Sequence, residues 1–300
     1  MTDIRVLTER FGLAEELCFT NAATDQPVVE VNTPLCRARI ALQGAQVLTW
    51  TPAGEPPVIW LSDEAVFTAG KSLRGGIPVC WPWFGAHASE AGFPAHGIAR
   101  NLPWQVMASE HLSDGRIKLK LCLDTAALDH SLWPYHSELE LHMSFGHALE
   151  LELITRNVDT QAFTITEALH TYFAVSDVRQ VRVLGLEDCD YLDKVAGFAR
   201  RHQQGAVSFA EEVDRIYLDT GAECVIDDTP LKRRIHINKR GSLSTVVWNP
   251  WQEKAAAMSD MGKAAYLTML CVETANAADN AVTIGPGEEH RLWVSYRLEK

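Results

Sequence analysis

A chain of 300 residues, 47% of them hydrophobic, has enough apolar material for a sizeable core and leaves one large all-β domain or two ordinary domains open. A formal charge of −12, with no Lys/Arg-rich run, argues against nucleic acid and anionic membranes as partners. Seven scattered cysteines, odd in number and never spaced as C-x-x-C, fit reduced thiols in a cytoplasmic protein better than a disulfide framework or a zinc cluster.

Along the chain, the N-terminal stretch MTDIRVLTERFGLAEEL is charged and lacks the apolar run of a secretion signal, and Leu7–Leu17 is compatible with a short helix. No stretch reaches the length of a membrane span. Strands are expected at Val28–Val31, Ala45–Thr51, Val58–Leu61 and Trp104–Ala108. Three segments then alternate apolar and polar residues: Arg116–Asp124, Glu138–Phe145 and Ala148–Thr155. They read as half-buried neighbours in a meander, with a turn or two of helix at Thr125–Trp133 between the first two. Further strands are expected at Phe163–Phe173, Val181–Leu186, Arg234–Asn238, Thr245–Trp248, Tyr266–Glu273 and Arg291–Leu298. More than a dozen strands without β–α–β alternation predict antiparallel sheets packed face to face, and no linker or composition break divides residues 1–300 into more than one domain.

Three places carry unusual chemistry. RGGIPVCWPWFG (74–85), followed by PAHGIAR (94–100), is too rich in glycine, proline and aromatic rings for ladder strand. It predicts a rigid loop whose rings either wall a sugar-binding cleft or plug one end of the sandwich. In FTITEALHTYF (163–173), a core-facing Phe163, Ile165 and Leu169 would put Thr164, Thr166, Ala168, His170 and Tyr172 on a small, polar face. His170 is there either a cleft residue or a structural strand histidine. Glu167 falls on the apolar face, which raises the expectation of a bulge. In YLTMLCVETAN (266–276), Glu273 shares a face with Leu267, Met269 and Cys271. A carboxyl group in so apolar a run is either a desolvated general base or a buried structural partner.

Metal-ligand spacing is missing: no H-x-H or H-x-x-x-H occurs, and the H-x-E at His136–Glu138 lacks an accompanying P-C-x-x-C. His96, His170 and Glu273 could converge in space, but no local motif supports a metal site. Neither G-x-S-x-G nor a phosphate loop of the G-x-x-x-x-G-K type is present.

The ordered segments LQGAQVLTW (42–50), PVIWLS (57–62), RGGIPVCWPWFG, HGIARNLPW (96–104), ALHTYF (168–173), VDRIY (213–217), VVWNPW (246–251) and CVETA (271–275) resemble the aldose 1-epimerase superfamily, and most closely its hexose-6-phosphate mutarotase branch. The resemblance covers most of the chain. It implies an all-β fold of two large antiparallel sheets, a galactose mutarotase-like supersandwich, and catalysis without a cofactor. It further implies interconversion of the α and β anomers of a hexose 6-phosphate, with His170 as general acid on the ring oxygen and Glu273 as base on the C1 hydroxyl. Arg74 and Arg100 are implied as ligands of the substrate phosphate, His96 as a partner of a sugar hydroxyl or the ring oxygen, and Asp214 as a partner of sugar hydroxyls. For each of these four, an ordinary salt bridge, loop or surface role is the alternative. Some relatives carry glutamine immediately before the His–Gly pair, where this chain has Ala95, so that side-chain contact is lost. Two rival functions are a glycoside hydrolase, which needs two carboxylates at a defined separation, and a silent carbohydrate-binding module, which would bind the sugar without accelerating anomer exchange.

Overall fold

The computed structural model describes residues 3–22 and 25–300. The three alternating segments form the expected meander, as strands Ile117–Leu123, Ser137–Phe145 and Ala148–Asn157 paired in sequence, with Gln105–His111 on the outer edge. Glu289–Glu299 returns to pair with Ala148–Asn157, and Arg233–Arg240, Cys224–Asp228 and Arg182–Leu184 complete eight antiparallel strands. Period-2 alternation then does what it must on a pleated sheet. Leu119, Leu121, Leu141, Leu151, Leu292 and Val294 all point inward and are fully buried.

A second eight-stranded sheet faces the first. Its order is Ala199–His202, Asp190–Asp193, Val213–Tyr217, Ser244–Asn249, Met269–Asn276, Glu167–Leu169 and Val79–Cys80, and Tyr172–Ala174 also pairs with Met269–Asn276. Its inward residues, including Tyr217, Val247, Leu270, Val272, Leu169 and Phe173, join the meander's residues in one core. The protein is therefore an antiparallel β-sandwich. A four-stranded sheet (Leu17–Asn21, Pro27–Asn32, Cys36–Ala41, Gln46–Pro52) and a small pair, Phe163–Ile165 with Val282–Ile284, flank it.

The outward face of the second sheet is apolar as well. Cys80, Ala168, Ile216, Val246 and Ala275 form one buried cluster there, and Tyr172, Trp248, Met269 and Cys271 another. Loops and a helix cover this face in part, and the remainder is the floor of a cavity.

Helices differ from the sequence reading. The first runs Ile4–Phe11 and not Leu7–Leu17, because Gly12 adopts an extended conformation and Leu17 already pairs with Val31. Thr125–Trp133 contains only a single 3₁₀ turn, Thr125–Ala127. An unanticipated helix, Trp251–Ala257, follows Asn249, whose side-chain oxygen accepts a hydrogen bond from the Trp251 amide (2.9 Å). Among the described residues, no helix is long and apolar enough to cross a membrane.

Candidate functional site

Strand register alone brings several polar residues onto the outward face. Tyr172 pairs with Cys271, Cys271 with Trp248, and Trp248 with Asp214, while Glu273 pairs with Val246. Antiparallel partners share a face, so all of these side chains rise from the same floor. The expected Phe163–Phe173 strand is broken at Thr166 and again at His170–Thr171. Leu169 still pairs with Thr274, and Tyr172 with Cys271. The same register runs across the second break and sets His170 opposite Glu273.

Glu167 shows the alternation to be unshifted at the point where a bulge was expected. Its carboxyl does lie on the core side, fully buried, and faces His290 of the opposite sheet at 3.3 Å. A pairing partner, not a slip of the strand, accommodates it.

His170 Nδ1 lies 3.4 Å from Glu273 Oε1. Glu273 is 1% exposed and His170 9%, yet both line an open cavity of about 260 Å³. Among the described residues, neither His170 Nδ1 nor Glu273 Oε2 has a hydrogen-bond partner. Burial pushes the Glu273 carboxyl well above the usual carboxylate range; Lys194 opposes this and Asp214 adds to it. Burial likewise pushes His170 well below the usual histidine value, helped by His96, Arg100 and Arg74. The imidazole lies flat against the Tyr172 ring (5.0 Å, 10°), and Trp248 meets it edge-on (6.0 Å, 86°).

Arg74, Phe84, His96, Lys194, Asp214, Trp248, Lys254 and Met258 complete much of the cavity wall. Arg74 sits on a loop clamped at both ends: the Gln46 amide donates to the Leu73 and Gly75 carbonyls (3.1 and 2.7 Å). Its guanidinium bonds Asp260 through Nε (3.2 Å) and donates to the Tyr172 hydroxyl through Nη1 (3.0 Å). Burial opposes the Arg74 charge, but Tyr172 and Asp260 outweigh it and raise the pKa.

His96 is reached through a tight backbone crossing. It has φ 64°, and Gly97 follows at φ 73°. A Cβ at residue 97 would stand 2.1 Å from the Trp81 carbonyl oxygen, so only glycine fits. Burial first, then the positive charges of Arg100, Lys194 and Arg74, lowers the His96 pKa to about 3. The ring is therefore neutral near pH 7. Its Nδ1 accepts a hydrogen bond from the Gly85 amide at 3.4 Å, which leaves the other nitrogen as the donor.

Asp214 reaches the cavity already bound to Lys194 (2.9 Å), and Lys254 to Glu212 (2.6 Å). Arg100 does not line the cavity; its Nη2 donates to the Ala95 carbonyl (2.7 Å). The aromatic loop divides. Trp81 is fully buried and donates to Thr155, and Trp83 caps the Pro94 carbonyl, so only Phe84 of the three rings reaches the cleft.

Lys194 and Lys254 escaped the sequence reading. Lys194 stands in a turn between two short strands that alternation does not reveal. Lys254 was within reach, because Asn-Pro followed by WQEKAAA, rich in strong helix formers, is a helix-start signal.

The aldose 1-epimerase family model matches residues 27–297. A protein of Escherichia coli (strain K12) named "Putative glucose-6-phosphate 1-epimerase" is 40% identical over 253 residues, covering 84% of each chain. A protein of the same name from Cenchrus ciliaris is 40% identical over 265 residues, covering 85% of this chain and 79% of the relative. The crystal structure of "a putative mutarotase (YeaD) from Salmonella typhimurium" superposes with a TM-score of 0.90 at 34% identity, covering 99% of both chains. At 13% identity, "a galactose mutarotase-like protein" from Clostridium acetobutylicum still superposes with a TM-score of 0.69 over 95% of this chain and 99% of the other, a likeness of fold.

Proposed function

The chain belongs to the aldose 1-epimerase family, and on that premise we propose that it interconverts the α and β anomers of hexose 6-phosphates through His170 and Glu273. The juxtaposition of these two side chains in a cleft lined by cations carries the reading.

Glu273 removes the proton from the C1 hydroxyl as protonated His170 delivers one to the ring oxygen. The C1–O5 bond breaks and leaves an open-chain aldehyde with a neutral imidazole and a protonated carboxyl group. Rotation about C1–C2 exposes the other carbonyl face, and closure reverses both transfers. The same total number of protons serves both states. With cyclic sugar the pair must be ionic, and with aldehyde it is neutral. A raised Glu273 and a depressed His170 favour the neutral pair, so this electrostatic environment matches the ring-opened species, which is the scarce one in water.

Arg74, Lys194 and Lys254 place three cations on the cavity wall, which suits a phosphate despite the net charge of −12. Arg100 joins them if its guanidinium leaves the Ala95 carbonyl. His96 and Asp214 face the sugar hydroxyls, the first as a neutral donor and the second as an acceptor held by Lys194. Phe84 and Trp248 offer apolar faces to the ring.

The test is anomer exchange of glucose 6-phosphate followed by NMR saturation transfer. The wild-type protein accelerates it, and His170→Asn and Glu273→Gln each lose about 10²–10⁴-fold or more. Exchange by Glu273→Gln at the wild-type rate would end the mechanism. Failure of the wild-type protein to accelerate any phosphorylated or free hexose would end the assignment.

A further inference from the structure

Cys271 is buried beside the acid–base pair and has no place in the proton transfers. Its sulfur, a ring nitrogen of His170 and a carboxylate oxygen of Glu273 all lie within 4.8 Å of one another. The sheet builds this cluster. Cys271 and Glu273 share one face of Met269–Asn276, and His170 stands at the break between Glu167–Leu169 and Tyr172–Ala174, opposite Glu273. Two buried polar atoms here, His170 Nδ1 and Glu273 Oε2, have no hydrogen-bond partner among the described residues.

We propose that His170, Cys271 and Glu273 form an inhibitory site for a thiophilic dication of the zinc class. Zinc binds imidazole, thiolate and carboxylate at about 2.0–2.3 Å in a tetrahedron, which sets neighbouring donors about 3.3–3.8 Å apart. The 3.4 Å separation of Nδ1 and Oε1 already has the length of such an edge. No pair need close by more than about 1 Å. Two ligands become anionic, so the dication is neutralised at a largely buried site. Binding releases the Cys271 thiol proton and any proton on Glu273 to solvent as the metal–sulfur and metal–oxygen bonds form, with no change of oxidation state. His170 and Glu273 line the cavity, which leaves the fourth position for water arriving from that side. A sulfur and a nitrogen donor exclude magnesium and calcium, which take oxygen shells.

The site stands on geometry; only the loss of activity rests on the acid–base roles assigned above. Cadmium reports it directly through the ultraviolet charge-transfer band of a cadmium–thiolate bond. Titration of the whole protein with Cd²⁺ is expected to raise that band, and Cys271→Ser to remove the tightest component of it. In chelator-buffered Zn²⁺, exchange of glucose 6-phosphate anomers is expected to stop and to return on adding EDTA. Mg²⁺ is expected to leave the rate unchanged. Cys271→Ser should need at least about tenfold more Zn²⁺ for the same fractional inhibition. His170→Asn, which leaves the buried thiol in place, should weaken Cd²⁺ binding too and serves if Cys271→Ser fails to fold. Cadmium binding unaltered by both substitutions would overturn the site. Cysteine-dependent binding with an unimpaired exchange rate would uphold the site and overturn the acid–base assignment instead.

Discussion

His170 Nδ1 lies 3.4 Å from Glu273 Oε1, on a register that sets the two residues opposite each other across adjoining strands. At that separation a proton can pass between them with little movement of either side chain. Burial raises Glu273 from 4.5 and lowers His170 from 6.5. The state with one shared proton is therefore widened, and the second proton enters only when His170 is forced to accept it. The acid limb of the exchange rate should lie below 6.5 and the alkaline limb above 4.5. A pH profile of exchange whose acid limb lies at or above 6.5 would contradict the depression of His170.

Glu273→Gln should be inactive yet more stable. The carboxyl group is buried, so ionising it there costs stability, and the neutral amide of glutamine carries no such cost. Because its folded-state pKa is raised, the wild-type protein holds its full stability below 4.5, where unfolded glutamate is also protonated. That contribution is lost as pH rises toward the folded value, since only the unfolded chain then gains by ionising. The glutamine variant has no such dependence. Urea unfolding of both proteins at several pH values should show the gap widening with pH, and a gap that narrows would reverse the sign assigned here.

Arg74 lines the cavity and Arg100 does not. Arg74→Ala should therefore raise KM for hexose 6-phosphate more than Arg100→Ala does, with little change for the free hexose. Competition with inorganic phosphate provides the second reading, since the weaker competitor identifies the residue that contacts the anion. Arg74 also tethers Tyr172, against which His170 stacks, so some loss in kcat is expected from Arg74→Ala alone.

Gly97→Ala should destabilise the protein by at least about 2 kcal/mol, because left-handed strain is joined by a backbone clash with Trp81. His96 would move with it. A shift in the urea midpoint together with a raised KM is the expected result; an unchanged midpoint would show that the crossing of residues 81 and 97 relaxes without cost.

Much of the sandwich was legible because its meander strands each have one wet face, and Leu119, Leu141 and Leu151 repeat at period 2. The second sheet was harder to read. It is buried on both faces over Ser244–Asn249 and Met269–Asn276, so alternation there separates core from cleft and not core from solvent. Short strands such as Asp190–Asp193 and Ala199–His202 carry no periodic signal, and Lys194 between them was lost with it. Glu273 could be singled out by its apolar neighbours, whereas nothing local distinguishes His170, whose meaning comes from the residue opposite. Trp81 and Trp83 take the buried role of the two that the sequence leaves open, since composition marks a special loop without saying which ring faces the cleft.

His170 and Glu273, the proposed acid–base pair, are held opposite each other by strand register, but the cations around them stand outside the strands. Arg74 stands on the Gly75–Gly76 loop, Lys194 on a hairpin turn, and Lys254 on the Trp251–Ala257 helix. Lys194 and Lys254 belong to segments outside the strand pairing that holds His170 to Glu273, whereas the Arg74 loop is tied to it, since the Gly76 carbonyl accepts from the Tyr172 amide (3.0 Å). On the proposed mechanism, substitutions at Lys194 and Lys254 would change which sugar is held, phosphorylated or plain, and leave the chemistry of the pair in place.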